Sequence, residues 1–135
     1  MKVVDASVAL KWILPEEGSP EALKLIEEHA SEGSSLVVPD LLFYEITNGL
    51  AVAVKLPLSQ VEQILDWFYD LDLKVATLGR DDFKKSAKLA QEFHLSLYDA
   101  SYITLAISLN AVFVTADMSL VKRLPEKLIK IELLE

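Results

Sequence analysis

Lys2-Val3-Val4-Asp5-Ala6-Ser7 runs two β-branched residues straight into an acid, a small residue and a hydroxyl. β-Branched residues favour strands. The stretch reads as a short buried strand whose carboxyl end presents Asp5, with a helix beginning at Ser7. In open α/β sheets that edge is where ligands bind. Three further acids, Glu45, Asp99 and Asp117, sit where the same edge would gather them.

The rest of the chain repeats the alternation. Ser7 to Leu14 has a helical apolar pattern that Pro15 stops. Gly18-Ser19-Pro20 restarts a helix, with Ser19 expected as N-cap and Pro20 at the first helical position. This helix runs to about Ser31, and Gly33 ends it. Leu36-Val37-Val38 is a second strand. A helix from Pro39-Asp40 reaches about Val54 and closes at Leu56-Pro57. Ser59-Gln60-Val61-Glu62 has the form of a capping box for a helix to about Asp70. Lys74-Val75-Ala76 is a third strand. Asp81 to Phe93 is an amphipathic helix, with Phe83, Ala87, Ala90 and Phe93 expected on its inner side. Ser96 to Leu109 is another helix. Val112-Phe113-Val114-Thr115 is a buried strand ending near Asp117, a short helix follows, and Ile129 to Leu133 is an edge strand. Strands alternating with helices predict a three-layer α/β/α domain over residues 1–135, with a central, mostly parallel sheet of four to five strands.

Composition narrows the chemistry. Apolar residues make up 52% of the 135 residues, which supports a packed core and excludes a disordered chain. The longest apolar runs, such as Leu50 to Val54, fall far short of the ~18 residues a membrane span needs. Residues 1–5 contain an acid and lack a signal peptide's apolar stretch, so a cytoplasmic protein with no membrane partner is expected. There is no Cys, and the only histidines are His29 and His94. Thiolate and multi-histidine zinc sites are thereby disfavoured. Any metal should be hard and oxygen-held, hence Mg²⁺ or Mn²⁺. The net charge of -8 argues against a basic nucleic-acid-binding surface. Residues 16–32, however, hold six Glu against one Lys, so much of the excess lies in one segment.

Each acid also has an ordinary structural reading. Asp5 and Asp117 follow strands, where Asp commonly makes turns or N-caps. Ser96-Leu97-Tyr98-Asp99 fits a capping box. Glu45 lies in a helix, Leu41 to Val54, that is apolar nearly all round, as expected of a helix that is buried or covered by a partner. Glu45 and Asn48, three apart, share a face. A carboxylate among apolar neighbours is costly unless paired or metal-bound. Four clustered carboxylates would raise one another's pKa and need cations between them.

These features resemble the PIN domain family, and within it the small VapC-type toxins of prokaryotic toxin–antitoxin pairs. The likeness covers essentially the whole chain. It is carried by V-V-D-A-S at 3–7, P-D-L-L-F-Y-E-I-T-N at 39–48, L-Y-D-A at 97–100 and V-T-A-D at 114–117. The resemblance implies an endoribonuclease that cleaves single-stranded RNA with Mg²⁺ or Mn²⁺. It implies Asp5, Glu45, Asp99 and Asp117 as the metal-binding catalytic set, with Ser7, Thr115 and Asn48 in support. Asp5 and Asp99 would be direct ligands, Asp117 a direct or water-mediated one, and Glu45 would orient or deprotonate the attacking water. Lys11, Lys55, Arg80, Lys84, Lys85 and Lys88 are candidates to steer the RNA backbone, against the plainer reading of solvated helix faces. The apolar excess of the Phe43–Val54 helix and of Trp67-Phe68-Tyr69 suggests a homodimer interface or a partner groove. The resemblance implies both a homodimer and a cognate antitoxin protein. Two alternatives stay open: a non-catalytic metal-binding or protein-interaction module of the same fold, and a DNA-directed nuclease. A receiver domain would need adjacent acids after the first strand, and a D-x-D phosphatase an Asp where Ser7 stands.

Overall fold

A computed structural model describes residues 1–134. The elements are β1 (Lys2–Val4), α1 (Ala6–Ala9), α2 (Ser19–Ala30), β2 (Leu36–Pro39), α3 (Leu41–Asn48), α4 (Leu58–Asp70), β3 (Lys74–Ala76), α5 (Arg80–Phe93), α6 (Leu97–Leu109), β4 (Val112–Thr115), α7 (Met118–Arg123) and β5 (Ile131–Leu133). The five strands form one sheet in the order β3-β2-β1-β4-β5. All four pairings are parallel, including edge strand β5. Parallel strands need crossovers that cover both faces. Accordingly Val3, Val4, Val38, Phe113, Val114 and Thr115 are fully buried. The order turns back between β1 and β4, whose register pairs Val3 with Phe113 and Val4 with Val114. A crevice opens outside the carboxyl ends of such a pair, and here it lies beyond Val4 and Thr115.

Helix α6 is the central helix. Every residue from Ala100 to Ala106 is buried, and its polar groups are paired inside. Ser86 Oγ donates to Thr104 Oγ1 at 2.8 Å, and Ser101 Oγ donates to the Tyr98 carbonyl at 2.6 Å. Helix α3 and the turns that continue it to Val54 bury Leu42, Ile46 and Leu50 but leave Tyr44, Val52 and Val54 exposed, so the outer side of this stretch is open rather than buried all round.

Several local expectations are corrected. The first helix is one short α-turn and then a 3₁₀ turn, Leu10–Trp12. The cap of α2 is Gly18, at φ 85°, not Ser19; a positive φ suits Gly, while the Ser19 hydroxyl donates back to the Glu16 carbonyl. At the far end Glu32, at φ 62°, takes the left-handed position expected of Gly33. The Ser59 capping box does not form, because α4 starts at Leu58 and Ser59 is already inside it. The stretch after α3 continues as a π-helix, Gly49–Ala53. Helix α5 is rotated from expectation. Its inner side runs through Ser86, with Leu89, Ala90 and Phe93 partly buried, while Phe83 and Ala87 face out. The buried Ser86–Thr104 bond lies on that inner line, and apolar periodicity cannot register a polar pair.

Candidate active site

Asp5 leaves β1 with its carboxylate buried, 6% exposed. Two hydroxyls hold it. Ser7 Oγ donates to Oδ1 and Thr115 Oγ1 to Oδ2, each at 2.5 Å. The Val8 N–H adds a bond to Oδ1 at 3.3 Å, so Asp5 does cap α1. Ser7 Oγ also accepts the Ala116 N–H at 2.9 Å, and Thr115 Oγ1 the Asp117 N–H at 3.1 Å. The ends of β1 and β4 are thus sewn together across the crevice by side chains more than a hundred residues apart.

The other acids approach from the crossovers. Glu45, on α3, is half-buried, and its Oε1 accepts the Tyr102 hydroxyl at 2.7 Å. Asp99 enters α6 in its first turn. Ser96 is the cap, accepting the Asp99 N–H at 3.0 Å. Asp117 caps α7, its Oδ1 accepting the Leu120 N–H at 3.1 Å. The ordinary structural readings are therefore true of Asp5 and Asp117, and Asp99 takes part in a cap through its backbone.

Electrostatics ties the four together. Burial raises the pKa of Asp5 above the usual carboxylate range; bonds from Ser7, Thr115 and Val8 oppose this, and the Asp99 charge adds to it. Burial likewise raises Glu45, against the Tyr102 bond and with the charges of Asp99 and Asp5. Asp99 is raised by burial and by Asp117, and lowered by Ser96 and Arg123. Tyr102 is raised by burial and by Glu45, Asp5 and Asp99. Asp5 feels the charge of Asp99, Glu45 those of Asp99 and Asp5, and Asp99 that of Asp117, yet among the described residues no three His, Asp or Glu side chains are grouped closely enough to grip one ion. As a donor set they are all oxygen, with Asp5, Glu45 and Asp99 partly desolvated and Asp117 exposed, which suits a hard divalent cation. The fit is one of donor chemistry.

The supporting residues separate. Ser7 and Thr115 join the site, whereas Asn48 is exposed and lines an outer groove with Asp40, Thr47 and Tyr69. Among the cations, Lys11 is tied to the Glu17 carbonyl and to Glu16 at 3.6 Å, so it anchors a loop. Lys85 and Lys88 line a groove whose walls include none of the four acids. Two residues were missed by sequence reasoning. Arg123 brings positive charge to Asp99 while donating to the His94 carbonyl at 3.0 Å. Tyr102 was legible in principle. It lies three residues after Asp99 within the buried run Ala100 to Ala106, and a buried Tyr needs a partner for its hydroxyl.

A family model described as PIN domain matches residues 2–126. Ribonuclease VapC3 of Pyrobaculum aerophilum is 29% identical over 128 residues, which cover 91% of this chain and 94% of the relative. The crystal structure of VapBC2 from Rickettsia felis bound to a DNA fragment from their promoter superposes with a TM-score of 0.75 at 17% identity, over 99% of this chain and 98% of that one. DNA-bound VapBC from Salmonella typhimurium gives 0.72 at 17%, over 97% and 96%. At these identities the two structures speak for the fold alone. The family match runs from the first residue of β1 past the last of the four acids, and the chain belongs to the PIN domain family.

Proposed function

We propose that this chain is a Mg²⁺- or Mn²⁺-dependent endoribonuclease that cleaves single-stranded RNA, and that it is the toxin of a toxin–antitoxin pair acting in the cytoplasm. The observation that carries the reading is the buried Asp5 carboxylate, held by two hydroxyls at the β1–β4 switch point within reach of the charges of Glu45 and Asp99. Such an arrangement raises the energy of the protein unless a cation offsets it. The likeness to Ribonuclease VapC3 of Pyrobaculum aerophilum supports the activity, and the VapBC assemblies that share this fold are the ground for proposing an antitoxin.

A bound divalent ion supplies Lewis-acid polarisation of the scissile phosphate and activation of water. Asp5 and Asp99 would hold the ion directly and Asp117 would be a third ligand, Asp5 from its buried place at the end of β1, Asp99 half-buried and Asp117 exposed. Thr115 and Ser7 leave Asp5 one fixed orientation. Glu45, with Oε1 engaged by Tyr102, has Oε2 for orienting the attacking water or taking its proton. Arg123 offsets charge at Asp99 and is a candidate contact for the RNA backbone. Exposed Tyr44, Val52, Leu58 and Tyr69 give the outer face of α3 and α4 the apolar character of a surface that a second copy or an antitoxin segment covers.

The test is cleavage of labelled single-stranded RNA with and without Mg²⁺ or Mn²⁺, beside Asp5→Asn. Cleavage should require the metal and vanish in the variant while the fold persists. Undiminished metal-dependent cleavage by Asp5→Asn overturns the mechanism, and a preference for DNA overturns the substrate. The capping roles of Asp5 and Asp117 favour one second reading, a non-catalytic module of this fold, for which no metal-dependent cleavage of either polymer is expected.

A further inference from the structure

Tyr102 is among the largest fully buried side chains, 1% exposed in the core. A phenylalanine would fill the same volume, so packing accounts for the ring and not for the oxygen. That oxygen crosses from α6 to α3 and donates to Glu45 Oε1 at 2.7 Å. Glu45 needs such a tie. It is half-buried at the edge of the face formed by Leu42, Ile46 and Leu50, and a free glutamate keeps about 1.5–2 kcal/mol of rotamer freedom. On the strand side, Ser7 and Thr115 perform the corresponding task for Asp5. The helix side has Tyr102, one helical turn beyond Asp99 and so rooted in the element that carries the neighbouring acid.

We infer that Tyr102 is a positioning residue of the proposed metal-dependent reaction: its hydroxyl holds Glu45 Oε1 and so leaves Oε2 as the oxygen that would serve the cation or the attacking water. The inference rests on the functional reading above and deepens it. Tyr102 itself touches neither metal nor RNA and acts wholly through Glu45. Partners that orient a metal ligand in this way commonly contribute 10–100-fold in affinity or activity.

The experiment uses the full chain and Mn²⁺ alone as the first probe. Wild type, Tyr102→Phe, Glu45→Ala and the double variant are compared by calorimetric Mn²⁺ titration and by thermal melting, then by cleavage of single-stranded RNA. Tyr102→Phe should weaken Mn²⁺ binding, or lower kcat with KM little changed, by 10–100-fold. In the Glu45→Ala background the same change should do nothing further. A purely structural hydroxyl would instead shift melting equally in both backgrounds and leave titration and kcat unmoved, which overturns the inference. If Tyr102→Phe fails to fold, Glu45→Ala still decides: unchanged Mn²⁺ affinity and kcat remove the residue through which Tyr102 is held to act. A wild-type chain that binds Mn²⁺ but cuts no RNA overturns the ribonuclease reading alone, since the titration still reads the Tyr102–Glu45 tie. A wild type that neither binds nor cuts overturns both.

Discussion

Thr115→Val removes one buried hydroxyl while keeping a β-branched side chain in β4. Thr115 is fully buried, and its Oγ1 makes two bonds: it donates to Asp5 Oδ2 at 2.5 Å and accepts from the Asp117 N–H at 3.1 Å. A bond to a charged group contributes about 1.5–3 kcal/mol and a neutral one about 0.5–1.5 kcal/mol. The extra buried methyl offsets roughly 0.8 kcal/mol. The net cost is about 2–3 kcal/mol, most of it from Asp5. For a domain of this size that lowers the melting temperature by about 6–12 °C. The assay is thermal and urea unfolding at pH 7 in chelator, for wild type, Thr115→Val, Asp5→Ala and the double variant. The cycle isolates the pair, because other effects of Asp5→Ala, such as the lost cap on Val8, cancel. A coupling of about 1.5–3 kcal/mol is expected. A cost of Thr115→Val that is the same with and without Asp5 refutes the claim that this hydroxyl exists to hold the carboxylate.

The pKa directions set a pH dependence. Asp5, Glu45 and Asp99 are raised in the fold, so the folded chain binds protons that the unfolded chain has already released. Their stabilising effect is present below the unfolded carboxylate pKa of about 4 and is lost as pH rises through the folded values. Asp5→Asn should therefore melt above wild type at pH 7 in chelator, with the gap closing toward pH 4; a wild type that melts higher at pH 7 contradicts the burial cost. Adding Mn²⁺ at a hundred times its Kd should stabilise wild type by about 2.7 kcal/mol and leave Asp5→Asn unmoved. Equal Mn²⁺ shifts in both proteins would place the ion elsewhere.

Reading the chain in order located what is decided locally. Val3-Val4, Val37-Val38 and Val112 to Val114 are strands because β-branched runs too short for helices must be buried on both faces. Asp5 and Asp117 are legible as strand-end acids for the same reason. The misreadings are local competitions. Ser19 and Ser59 each look like a cap, but each helix begins before its Ser could cap it: α2 starts at Ser19 itself behind Gly18, and α4 starts at Leu58 behind Pro57. The inner face of α5 was misplaced because Ser86 counts as polar in any pattern, although Thr104 satisfies it inside the protein.

By itself, the order of residues determined the alternating architecture and the list of acids, because hydrophobic periodicity and strand-end chemistry are properties of neighbours. Tertiary structure decided how those acids are held. The grip of Thr115 on Asp5 and of Tyr102 on Glu45 joins residues 110 and 57 positions apart. A hydrogen bond acts only over about 3 Å, so which hydroxyl meets which carboxylate depends on the parallel register of β1 with β4 and on the packing of α6 beside α3.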